Sequence, residues 1–94
     1  MIQNISVSEL DDKNNIIDIR SIEKYNDNHI RNARNIPMIL LLKDPSKYLN
    51  YIETYYIYCQ KGINSAKVCS LLSMKGYNVV NVLGGYEAWL LKRA

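Results

Sequence analysis

Thr54-Tyr55-Tyr56-Ile57-Tyr58-Cys59-Gln60-Lys61-Gly62-Ile63-Asn64-Ser65 changes character twice within one short stretch. Thr54 to Tyr58 is entirely β-branched or aromatic, the strongest strand signal in the chain. Cys59 to Ser65 reads as a tight loop leading into a helix. Beyond it Ser65, Val68, Cys69 and Leu72 recur at i, i+3, i+4 and i+7, one apolar helical stripe. Lys75-Gly76 closes that helix, a cation in the last turn followed by a glycine cap.

Outward from this segment the same alternation continues. Downstream, Tyr77 to Val82 is a strand, Gly84-Gly85 breaks the chain, and Tyr86 to Leu91 forms a closing helix. Upstream, Gln3–Ile5 is a first short strand. Ser6 with Glu9 has the spacing of a capping box and predicts a short helix. Asn15 to Ile19 is a β-branched run of strand length. Ser21 then caps a brief helix through Tyr25, and Arg34 to Ile36 is a strand stopped by Pro37. Met38 to Lys43 is a short apolar helix or loop. Asp44-Pro45 opens a further helix with Leu49 and Ile52 on its inner face. Strands alternating with helices predict an α/β domain with a mainly parallel sheet. Sites in open parallel sheets form at the carboxyl ends of strands, where Cys59 lies.

Composition narrows the function. The chain has 94 residues and a mass of 10.9 kDa, which predicts one domain over residues 1–94. An apolar fraction of 48 % with 22 % charged residues is that of a folded protein and excludes a low-complexity or disordered chain. Net charge is +3, and its closest clusters, Arg31/Arg34 and Lys92/Arg93, read as solvated surface, so no nucleic-acid partner is expected. The longest apolar run, Met38 to Leu42, falls far short of the ~18–20 residues of a membrane span. Met1-Ile2-Gln3-Asn4-Ile5 lacks a basic segment followed by an apolar one, so no signal peptide is expected. Cys59 and Cys69 without a secretory signal do not make a disulfide framework, and a reduced, cytoplasmic setting is the expectation. A single histidine and no CxxC motif predict no metal site.

The chemistry concentrates at Cys59. A loop entering a helix can turn its backbone N–H groups inward on the sulfur, and the helix N-terminus adds a positive dipole end. Together they make an anion site without a cationic side chain. Gly62 permits the positive φ such curling requires. A thiol placed there is predicted to have a depressed pKa and to act as a nucleophilic thiolate. The competing reading is a small residue that closes a buried strand.

Two blocks resemble the rhodanese family. Ile16-Ile-Asp-Ile-Arg-Ser-Ile-Glu-Lys-Tyr-Asn-Asp-Asn-His-Ile-Arg-Asn-Ala-Arg-Asn-Ile-Pro37 is similar to that family's ID-x-R…E-x-Y…G-H-I-x-G-A-x-N-I-P block. Tyr56-Ile-Tyr-Cys-Gln-Lys-Gly-Ile-Asn-Ser65, then Gly76-Tyr77 and Leu83-Gly-Gly-Tyr-Glu-Ala-Trp89, is similar to Y-C-x-x-G-x-R-S…G-(F/Y)…L-x-G-G-x-x-x-W. The pieces are weak singly and specific together, and they cover nearly the whole chain. The resemblance implies a five-stranded parallel sheet flanked by helices, with the active cysteine after the fourth strand. It implies a sulfurtransferase that takes sulfane sulfur from thiosulfate or a persulfide onto Cys59 and passes it to a thiol or cyanide. The covalent persulfide replaces any cofactor. Gln60, Lys61, Gly62, Ile63, Asn64 and Ser65 would then bind the substrate as the cradle of the persulfide anion.

The resemblance also carries departures. Asn64 stands where most sulfur-type members have Arg, and Gln60 where Arg is frequent, leaving Lys61 as the loop's one cation. Thiosulfate is a dianion, so its capture is expected to weaken. A persulfide carrier that serves a partner protein is the alternative. Related folds acting on phosphate or arsenate carry a loop one residue longer with an Arg near its end. The shorter loop here, without Arg, disfavours a phosphatase or arsenate reductase.

Asp18 and Arg20 end the second strand and are expected to brace the Cys59 loop; a local ion pair or helix cap is the plainer alternative. His29 reads as a structural histidine. Cys69 lies too far along the helix to bridge Cys59 and reads as core. Tyr86 and Trp89 pack on the sheet, and Gly84-Gly85 lets the backbone pass close by the active loop.

Overall fold

The computed structural model describes residues 2–93. β1 is Gln3–Ile5, β2 Ile16–Asp18, β3 Arg34–Asn35, β4 Thr54–Tyr58 and β5 Asn78–Val82. The helices are α1 (Ile22–Asp27), α2 (Met38–Lys43), α3 (Ile63–Met74) and α4 (Gly85–Arg93). All five strands are parallel and ordered β1-β5-β4-β2-β3, the α/β architecture the alternation predicts. β4 pairs β2 on one side and β5 on the other, so the strand that leads to Cys59 is central.

The strand period of two sorts the sheet residues onto two cores. Ile17, Tyr55, Ile57 and Val79 join Val68, Cys69 and Leu72 of α3 on one face. Ile16, Tyr58, Val80 and Val82 join Tyr86 and Trp89 of α4 on the other. Helices thus cover both faces, which explains why Ile16, Ile17 and Asp18 of β2 are all buried.

Ser21 caps α1 as predicted, its side chain accepting from the Lys24 N–H. The four stripe residues Ser65, Val68, Cys69 and Leu72 are the buried residues of α3. Two expectations need correction. Ser6 and Glu9 form no capping box: Val7–Glu9 is a single 3-10 turn, and the Ser6 hydroxyl is engaged with that of Ser8 at 2.7 Å. Nor does Asp44-Pro45 open a helix that buries Ile52. Pro45–Lys47 is one 3-10 turn, Leu49 is buried, and Ile52 is 89 % exposed. The reason is Asn50, whose side-chain carbonyl accepts from the Ile52 and Glu53 N–H groups at 2.9 Å each. That local turn competes with a helix and swings Ile52 outward.

Candidate active site: a cysteine in a strand-to-helix loop

Cys59 sits one residue beyond β4, and the chain turns through Gly62 at φ +93° directly into α3. The turn aims backbone donors at the sulfur. The Gly62 N–H lies 3.1 Å and the Ser65 N–H 3.2 Å from Cys59 Sγ. The Ser65 hydroxyl is also within reach, at 3.3 Å. Among the described residues the N–H groups of Lys61, Ile63 and Asn64 bond nothing in the protein. The same three residues, with Cys59 and Gln60, line a depression of about 230 Å³. It therefore presents a sulfur already held by two donors and a rim of further donors open to a ligand.

Two glycines outside the loop hold this turn in place. The backbone of α4 docks on it: the Tyr86 N–H donates to Cys59 O at 2.9 Å and the Glu87 N–H to Gln60 O at 3.1 Å. A Cβ on Gly85 would fall 2.3 Å from Cys59 O, and one on Gly62 would fall 2.9 Å from Gly84 N. The close passage expected of Gly84-Gly85 is thus a backbone-to-backbone seam.

Asp18 and Arg20 form a buried ion pair beside the loop, 0 % and 8 % exposed. Arg20 Nη2 lies 2.8 Å from Asp18 Oδ2, and Nε lies 3.1 Å from both carboxylate oxygens. Burial works against the Arg20 charge, yet the hydrogen bonds and charge of Asp18 outweigh it and hold the guanidinium above its ordinary pKa. The remaining donors reach outward: Nη1 to Gln60 Oε1 at 3.2 Å and Nη2 to Asn28 O at 2.7 Å. The local ion pair and the contact with the loop are therefore both present, with Gln60 as the point of contact.

Three contacts around the site were not legible in the sequence. Tyr58 donates its hydroxyl to Asp18 Oδ2 at 2.6 Å and accepts from the Ile30 N–H at 3.0 Å. Burial, with the Asp18 carboxylate, raises its phenol well above the usual range. Tyr86 offers its ring face to the Arg20 guanidinium at 4.0 Å. Asn81, on β5, accepts from the Ser65 hydroxyl at 2.6 Å. Only the period-two face of Asn81, shared with Val79, could have pointed to it.

Lys61, Ile63 and Asn64 are not buried, and Ile63 is 63 % exposed, so the loop's outer side chains face the mouth. Lys24 of α1 joins Arg20 and Asn64 in lining a second depression of about 250 Å³ that also reaches Cys59. His29 is stacked on Tyr25 with ring centroids 3.8 Å apart, and its Nδ1 lies 2.8 Å from Tyr25 O. Cys69 is a free thiol in the same core as Cys59, and burial pushes its pKa up to about 12. Among the described residues no helix is long and apolar enough to cross a membrane.

Known proteins share this fold. The family model described as "Rhodanese-like domain" matches residues 5–92. The "Thiosulfate sulfurtransferase GlpE" of Coxiella burnetii is 31 % identical over 91 residues, covering 94 % of this chain and 84 % of that protein. The "Uncharacterized protein YqhL" of Bacillus subtilis is 31 % identical over 78 residues, and the match spans only 61 % of its length. The crystal structure of a rhodanese-like domain protein from Staphylococcus aureus superposes with a TM-score of 0.83 at 37 % identity, covering 94 % of this chain and 91 % of that one. The parallel sheet, the cysteine at the end of its central strand and the match over residues 5–92 agree, and the chain belongs to the rhodanese family.

Proposed function

We propose that this domain is a sulfurtransferase that carries sulfane sulfur as a persulfide on Cys59. The observation that carries this reading is the Cys59 sulfur held by the Gly62 and Ser65 N–H groups, with three further loop N–H groups unpaired at the mouth. In the first half-reaction the Cys59 thiolate attacks the outer sulfur of the donor. A new S–S bond forms on Cys59, and the donor's S–S bond breaks with its electron pair leaving on the departing group, sulfite in the case of thiosulfate. The persulfide anion then lies among the N–H groups of Lys61, Ile63 and Asn64, which act as fixed dipoles and need no reorganisation. In the second half-reaction a thiol or cyanide attacks that outer sulfur and returns Cys59 as thiolate.

The mouth favours a donor of low charge. Arg20, the buried cation nearest the loop, is neutralised by Asp18 and spends a further donor on Gln60. Lys61 and Lys24 are the cations left at the rim. A cysteine persulfide, free or on a partner protein, fits that balance better than a dianion, and the domain then works as a sulfur relay. The missing loop arginine stands against a phosphatase.

Thiocyanate production from thiosulfate and cyanide tests the reading, with Cys59→Ser as control. Turnover lost in the variant supports transfer through Cys59. A folded wild-type protein that produces thiocyanate neither from thiosulfate nor from cysteine persulfide would overturn it.

A further inference from the structure

Behind Cys59 runs a line of polar side chains that the transfer steps above do not use. Ser65 is fully buried, and its hydroxyl touches Cys59 Sγ at 3.3 Å on one side and Asn81 Oδ1 at 2.6 Å on the other. Asn81 is 3 % exposed and its amide nitrogen donates in turn to Asn4 Oδ1 at 3.1 Å. No buried side-chain polar atom among the described residues is left unpaired.

A hydroxyl has one proton. Ser65 gives its proton to Asn81, which leaves only lone pairs facing the sulfur. In that state Ser65 accepts from the Cys59 S–H. When the thiol ionises, the S–H bond breaks, the proton passes to solvent and the electron pair stays on sulfur. The thiolate must then compete with Asn81 for the Ser65 proton. Asn81 can turn its amide nitrogen toward Ser65 only if the Asn4 amide turns with it, so that Asn4 Nδ2 donates to Asn81 Oδ1.

We propose that Asn81, held by Asn4, is a positioning residue that keeps the Ser65 hydroxyl proton off Cys59 and so shifts the balance from thiolate toward thiol. This rests on Cys59 being the reacting sulfur. It has a chemical use there. A thiolate over-stabilised by donors loses nucleophilicity, and the best attacking thiol ionises near the ambient pH. Asn81 withholds one donor while the loop N–H groups stay in place.

The charged and titratable groups around the sulfur are Lys61 on the loop, Lys24 and Arg20 across the mouth, Asp18 beneath Arg20, Glu87 beyond Gln60, and Cys69 in the core. None is hydrogen-bonded to Asn81, and Asn81→Leu changes no charge.

The test is the pH dependence of Cys59 alkylation by iodoacetamide, read by peptide mass spectrometry without any sulfur donor. In Asn81→Leu the freed hydroxyl turns to the sulfur, and the alkylation midpoint moves down, equivalent to about a fivefold rise in the acid dissociation constant for one hydrogen bond gained. Asn4 is exposed, so Asn4→Ala keeps the fold and moves the midpoint in the same direction by less. In a Ser65→Ala background both shifts vanish. An unchanged or raised midpoint in Asn81→Leu, or in Asn4→Ala should the leucine variant not fold, overturns the proposal. So does a shift that persists in the Ser65→Ala background. Because no sulfur is transferred in this measurement, its outcome is independent of the thiocyanate assay.

Discussion

Asp18 anchors one wall of the site through a single carboxylate that serves Arg20 and the Tyr58 hydroxyl at once. Removing one partner of a buried ion pair leaves the other uncompensated, at about 3–5 kcal/mol. Asp18→Ala is therefore expected to lower the unfolding free energy from urea denaturation by that much, and an effect below about 1 kcal/mol would deny the pair its bracing role. The sequence placed Asp18 and Arg20 together because both end the same strand. It could not show that Arg20 reaches Gln60, since that depends on the β2–β4 register that sets Asp18 opposite Tyr58. Asn64 makes the complementary prediction. It lines both depressions beside Cys59 and carries no charge. Asn64→Arg adds a cation in the path of an anionic donor and is expected to raise kcat/KM for thiosulfate by about tenfold at low salt, an advantage that shrinks as ionic strength rises. No gain at low salt would show that charge at the mouth does not limit capture.

At the scale of elements, the seam between the cysteine loop and α4 holds the site's shape. Gly85 has φ +58°, and its missing side chain is what lets Tyr86 and Glu87 bond the carbonyls of Cys59 and Gln60. Gly85→Ala combines a left-handed backbone with a clash against backbone, and is expected to cost about 2–4 kcal/mol in chemical denaturation. A loss within experimental error would mean that the seam can open freely. The two glycines were legible as a chain break because nothing else tolerates such a passage. The short elements were less legible. The Asn50 side chain stops a helix that Pro45 appeared to open, and a single turn at Val7–Glu9 leaves the Ser6–Glu9 pattern unused. Local side-chain bonds decide such cases, and spacing does not reveal them.

For the whole molecule, the buried polar groups set how stability responds to pH. Cys69 is neutral in the fold, its pKa raised from 9.0 to about 12 by burial and then by the nearness of Cys59. A folded pKa above the unfolded one gives stability that is complete below pH ~9 and is lost as pH rises from there toward the folded value. The melting temperature is expected to fall across that alkaline window, with a shallower fall in Cys69→Ala. Equal slopes for the two proteins would remove Cys69 as a cause. The same variant is expected to turn over sulfur unchanged, which separates a core thiol from a resolving cysteine. The parallel sheet and its two cores were legible because strand and helix periods alternate along the whole chain. The polar line from Asn4 through Asn81 and Ser65 was not, because β1 and β5 meet α3 only in the folded sheet. The central claim, a persulfide carried on Cys59, is tested most directly by intact mass spectrometry after exposure to thiosulfate or cysteine persulfide. The account predicts a gain of one sulfur atom, located on Cys59, removed by cyanide and absent in Cys59→Ser. A protein that takes up no sulfur from either donor, or that loads it equally in Cys59→Ser, would contradict it.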